Sequence, residues 1–155
     1  MTSTTDLLLA IVHHLLAFGL AAVLAGEWVL LRTAWSGAGL SAPALRRLQG
    51  LDRHYGALAG LLIIIGVLRV IYGGKGPDFY LASHAFWGKM AAFGGGGLLS
   101  IVPTVRILRW ARKAKAGAGF AVAPEEARAL RPWLLAEAAL FTLIPVFAAM
   151  MARGY

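Results

Sequence analysis

A chain of 155 residues that is 59% hydrophobic and 14% charged lies well outside the range of soluble domains, in which about a quarter of residues are charged. That composition belongs to an integral membrane protein, and the lack of cysteine excludes disulfides, thiolate metal sites and cysteine nucleophiles. The excess of 15 Lys and Arg over 7 Asp and Glu does not point to nucleic acid, because nearly all the basic residues stand in loops beside apolar runs, where they set orientation and meet anionic lipid headgroups.

The first apolar run, about Asp6 to Leu31, follows MTSTTD, which has no basic residue, and no small-residue cleavage site ends it. It reads as a permanent span rather than a removable signal. Further runs lie at about Leu51 to Tyr72, Phe79 to Leu108 and Pro132 to Ala152, each close to or above the ~20 residues a helix needs to cross the hydrocarbon. The period-two alternation of barrel strands is missing, so helices are the remaining way to satisfy the backbone in lipid. GGKGPD, from Gly73 to Asp78, predicts a tight turn, while SAPALRRLQG and APEEARALR predict short surface helices begun by Ser41 and Pro124. Pro103 and Pro145 fall inside spans, where each removes a backbone hydrogen bond and is expected to bend its helix. The expected fold is all-α: a polytopic membrane protein, one domain over 1–155, built as an antiparallel four-helix transmembrane bundle.

Orientation follows from the basic residues. Arg32, Arg46, Arg47 and Arg53 flank the first loop, and Arg106, Arg109, Arg112, Lys113, Lys115, Arg128 and Arg131 flank the third, against Arg69, Lys75 and Arg153 at the opposite end. The positive-inside rule puts both termini outside the cytoplasm, with anionic lipids at the cytoplasmic loops. No nucleic-acid partner is expected, and homo-oligomerisation is left open.

A charge at the centre of a span costs about 2.5–3.5 kcal/mol on insertion scales, so the polar residues inside the runs need reasons. Counting the rise of ~1.5 Å per residue, His13, His14, Arg69, His84 and Lys89 share a layer in the outer half, with Lys75 and Tyr72 at its mouth. No carboxylate from the spans lies at that depth; Asp6 and Asp78 are at the rim. Cations gathered without a counterion call for an anionic guest: a porphyrin with its propionates, an anionic lipid headgroup or another acidic apolar molecule. A second layer near the cytoplasmic side holds Glu27, Asp52, His54, Arg106 and Glu137, where acids and arginines are expected to pair and fix helix packing.

The stretch HAFWGKMAAFGGGG, from His84 to Gly97, aligns His84, Gly88, Ala91 and Gly95 along one helical stripe. His14, Phe18, Ala21 and Ala25 form a similar stripe on the first span. Small residues let helices approach closely; the same groove would admit a flat ring with a histidine above it as axial ligand. His13 and His14 point about 100° apart and do not easily address one site, and further carboxylate or imidazole would be needed for a bare metal. No metal site of that kind is expected.

Several strings together resemble a bacterial family of four-span membrane proteins catalogued as domain of unknown function 2214: HH at 13–14, Glu27, LDRHYG at 51–56, LRVIYGGKGPDFY at 68–80, FWGKM at 86–90, LLSIVPT at 98–104, RILRW from Arg106 and ARG at 152–154. The resemblance covers nearly the whole chain and implies a multi-pass protein of the bacterial inner (plasma) membrane. More distantly, the chain is similar to HemJ-type protoporphyrinogen oxidases and copper-resistance-type membrane domains, which pair a first-helix histidine with a later Trp-x-x-x-Lys-like string. The matching residues here are His14 (or His13) and Lys89, with Trp87 at a shorter spacing.

The leading functional expectation is a haem- or porphyrin-binding protein of redox type, an oxidoreductase if it is an enzyme. His14 and Lys89 would be the catalytic pair, and His13, His14, Arg69, Lys75, His84 and Gly88 would hold the cofactor. The alternatives are a non-enzymatic membrane subunit or assembly factor, and a small transporter or proton pathway with Glu27 at one end.

Overall fold

The computed structural model describes residues 3–117 and 119–154. Helix α1 spans Ser3–Thr33 and runs into a π-type turn over Ala34–Ala38. Then come α2 (Ala42–Tyr72), α3 (Gly76–Ala82), α4 (His84–Ala116), α5 (Pro124–Arg128) and α6 (Arg131–Ala152). Four of these helices are long and apolar enough to cross a membrane. At 31 residues, α1 is about 45 Å long, more than the ~30 Å of hydrocarbon.

The helices pack as two hairpins, α1 along α2 and α4 along α6, with thinner contact between α2 and α4. Lipid offers no hydrophobic force to drive helices together, so close packing decides the pairing. Each hairpin solves this with small residues set against large ones. On α1, Gly19 faces Leu58 and Gly26 faces Leu51; on α4, Gly88 faces Phe147 and Gly95 faces Leu140. Both glycine pairs are two turns apart, the repeat that keeps a seam on one face of paired helices. The contacts fix the direction of the chain: Asp6 lies against Gly73 and Gly74, and His13 against Gly66, so the start of α1 meets the end of α2 at the end of the bundle that carries the termini.

The best-buried apolar residues gather at the opposite, loop end: Leu31, Leu40, Leu45, Leu48, Ile107 and Leu130 are among them. Midway along the spans, large apolar residues such as Phe18, Ile64, Leu98 and Val146 are exposed, as a lipid-facing surface requires. Polar ties lock the loop end. Leu40 and Val122 exchange two backbone hydrogen bonds, each 3.0 Å. Trp35 donates from Nε1 to the Ala127 carbonyl at 2.9 Å, and the Trp35 carbonyl accepts from Arg128 Nε and Nη2 at 2.9 and 2.7 Å. Trp110 Nε1 donates to Glu126 Oε2 at 2.7 Å.

One glycine in this region is required by its conformation. Gly39 has φ +67°, and a Cβ there would stand 2.5 Å from the Val122 carbonyl oxygen. Gly39→Ala is expected to cost about 1–3 kcal/mol, the usual range for a strained backbone position, and to speed hydrogen exchange at the Leu40 and Val122 amides, which NMR or mass spectrometry would read.

The segments differ in detail from the sequence expectation. The helix predicted to begin at Ser41 is not a separate surface element: it is the first part of α2, held in place because Leu45 and Leu48 are buried. The third span starts at His84 rather than Phe79, since Phe79 ends up in α3 and Ser83 adopts an extended backbone. The Ser83 side chain accepts a hydrogen bond from the Phe86 amide at 3.2 Å, capping α4. The short helix at Pro124 is present. Pro103 and Pro145 both lie within helices that continue through them.

Candidate functional site

At the terminal end, a cavity of ≈ 400 Å³ lies between α2 and α4, backed by α1, α3 and α6. Its polar groups are His13 from α1, Arg69 from α2 and Lys89 from α4, in an otherwise largely apolar wall that includes Tyr80, Phe86, Phe93 and Phe141. His13 is within Coulombic reach of both Arg69 and Lys89, and Lys89 of Arg69. Among the described residues, no carboxylate lines this wall. His13 Nδ1 and Arg69 Nε are buried with no hydrogen-bond partner among the described residues, an arrangement that costs free energy unless something else completes it. Lys89 Nζ lies 5.6 Å from the centre of the Phe86 ring, within cation–π range. On one side Ile63, Val67, Trp87 and Met90 both line the cavity and are exposed, so the cavity is a groove that opens sideways toward lipid.

Three of the residues singled out in the sequence therefore meet in one pocket: His13, Arg69 and Lys89. The others are placed elsewhere. His14 is exposed, its Nδ1 is 2.6 Å from the Ala10 carbonyl, and its ring stands at 83° to that of His13. The stripe it shares with Phe18 and Ala25 is an exposed face of α1. His84 is exposed at the start of α4. Lys75 is exposed, with Nζ 4.2 Å from the centre of the Phe79 ring. Gly88 faces α6, where a Cβ would come within 2.7 Å of the Phe147 ring; the glycine groove is filled by a protein side chain rather than open to a flat guest. The aromatic lining from α3 and α6 was not anticipated. Tyr80 falls at the start of the third span expected from the sequence but belongs to the short helix α3, and Phe141 lies on a span that carries no cation nearby.

The second layer also differs from expectation. Glu27 and Glu137 are 4% and 3% exposed, and an oxygen of each, Oε1, is buried without a partner. Neither pairs with Arg106: the ion pair found among the described residues is Arg128–Glu125, at 3.9 Å on the surface. Asp52 accepts a hydrogen bond from Thr104 Oγ1 at 2.6 Å, tying α2 to α4. His54 is exposed, its Nδ1 2.6 Å from the Gly50 carbonyl.

Residues 5–155 match the family described as "Predicted membrane protein (DUF2214)", and the chain belongs to that family. No curated protein and no solved structure matches the chain. Family and fold together make it a multi-pass protein embedded in a lipid bilayer.

Proposed function

We propose that this DUF2214 member binds an apolar molecule with acidic substituents, taken from the lipid phase into the groove between α2 and α4. The observation that carries this reading is the convergence of His13, Arg69 and Lys89 on an apolar wall to which no described residue brings a carboxylate. A concave, mostly apolar site with a few polar groups is the usual form of a small-molecule site, and cations in such a wall select for negative charge. In the bacterial inner membrane, with both termini extracytoplasmic as the distribution of basic residues supports, the groove would lie in the outer half of the bilayer.

A porphyrin fits this chemistry. Arg69 and Lys89 would meet its two propionates, the aromatic side chains would bound its ring, and His13, whose Nδ1 lacks a protein partner, would supply an imidazole. Haem would bring one-electron chemistry; the protein's part would be to orient the ring and exclude water. The assignment of His14, His84, Lys75 and Gly88 to this task is not supported by their positions, and His13 takes the ligand role.

The test is a titration of purified protein with haem, metal-free protoporphyrin and a long-chain fatty acid. Binding of haem with a shifted absorption band, lost in His13→Ala and kept in His14→Ala, is the expected result. If none of the three binds, the reading fails; if the fatty acid alone binds, the occupant is an acidic lipid and the protein is a non-enzymatic binder.

A further inference from the structure

Each of the four long helices contributes a polar group to the layer beneath the groove: Glu27 from α1, Asp52 and Tyr55 from α2, Thr104 from α4 and Glu137 from α6. This layer sits below Phe141, which lines the groove one turn along α6 from Glu137, and above the loop-end core of Leu31 and Leu134. We infer that Glu27 and Glu137 hold protons inside the bundle, at least one of the two carboxyls staying in its acid form at neutral pH.

The argument is geometric. Both glutamates are almost wholly removed from solvent, and each presents an oxygen that no group among the described residues satisfies. A buried carboxylate survives only when paired and hydrogen-bonded; otherwise it takes up a proton. The pairing is absent, because neither glutamate has an ion-pair partner among the described residues. The titratable groups that face the two are Asp52 and Tyr55, both from α2 and both within Coulombic reach. Asp52 adds negative potential, and neither α4 nor α6 brings a cation to ion-pair distance. A metal ion is a poor alternative occupant, because among the described residues no three His, Asp or Glu side chains are arranged to hold one. A proton removes the charge that burial makes costly.

Infrared spectroscopy of the protein in lipid nanodiscs reads this directly. At neutral pH the wild type should show the carbonyl stretch of a protonated carboxylic acid, shifted in D2O. The band should fall in Glu27→Gln or Glu137→Gln and vanish in the double variant with helix content unchanged. Surface carboxyls are ionised at that pH and do not contribute. A wild-type spectrum at neutral pH with carboxylate bands alone would overturn the inference whether or not the variants fold. A protonated band that persists in a folded double variant would overturn it as well. Neither outcome bears on whether the groove binds its acidic guest.

Discussion

Replacing Arg69 and Lys89 together with glutamine should weaken binding of an acidic porphyrin by about a hundredfold or more, while binding of its dimethyl ester stays within a few-fold of wild type. Hydrogen bonds to charged groups contribute about 1.5–3 kcal/mol each, and each 1.4 kcal/mol is a factor of ten in affinity. Among the described residues, neither cation has an ion-pair partner and no carboxylate lines the wall, so both are free to meet an acidic guest. Fluorescence titration of both ligands against both proteins separates charge from shape. An equal loss for acid and ester would mean that the substitutions damaged the groove, and no loss for either would remove Arg69 and Lys89 from the site.

The second large effect concerns how α4 lies against α6. Gly88→Ala should destabilise the protein by about 1–3 kcal/mol, the range for overpacking a tight contact, because the new methyl would stand 2.7, 2.9 and 3.0 Å from three carbons of the Phe147 ring. Gly97→Ala, nine residues along the same helix, should do the reverse. Nothing lies within 4 Å of a Cβ at Gly97, and alanine in a helix is favoured over glycine by roughly 0.5–1 kcal/mol. For a chain of this size a change of 1 kcal/mol moves the melting temperature by about 2–4 °C, so thermal unfolding in mild detergent resolves the opposite signs. Adding Phe147→Leu to Gly88→Ala should recover part of the loss. If Gly88→Ala melts at or above wild type, α4 and α6 are not packed through this contact.

The contrast between these two glycines marks where the sequence stops being readable. Four consecutive glycines from Gly94 to Gly97 look alike in a row of letters, yet Gly95 meets Leu140 while Gly94 and Gly97 meet nothing. Only the rotation of the helix against its partner tells them apart. Spans and their antiparallel order were legible because hydrocarbon thickness and backbone satisfaction leave few options. The layer of cations was legible too, because helical rise fixes depth. Azimuth was not. His13 and His14, both expected to hold the cofactor, differ by about 100° around the axis, and the choice of His14 for the catalytic role falls on the exposed face.

A signal for the other choice was present. Glu27 is the residue on α1 that most needs burial, and stepping back from it by threes and fours passes Leu24, Leu20 and Ala17 to reach His13. Leu20, Leu24, Glu27 and Leu31 are all buried. A carboxyl that must be inside thus orients the whole helix. The aromatic wall was harder to foresee: Tyr80, which lines the pocket, belongs to the separate short helix α3 rather than to the start of the third span. The expected acid–arginine pairing failed for a comparable reason, since sharing a depth in the bilayer does not place two side chains on facing surfaces.

The sideways opening of the groove past Val67, Trp87 and Met90 has a consequence for what its affinity means. Acyl chains form the missing side of the wall, so phospholipid at nearly solvent-like abundance competes for the same space. Occupancy would then be governed by the mole fraction of guest among lipids, not by its concentration in water. A compound that partitions strongly into the membrane fills such a site at aqueous levels far below its dissociation constant in the lipid phase, and diluting the bilayer with inert lipid empties it without any change in the protein.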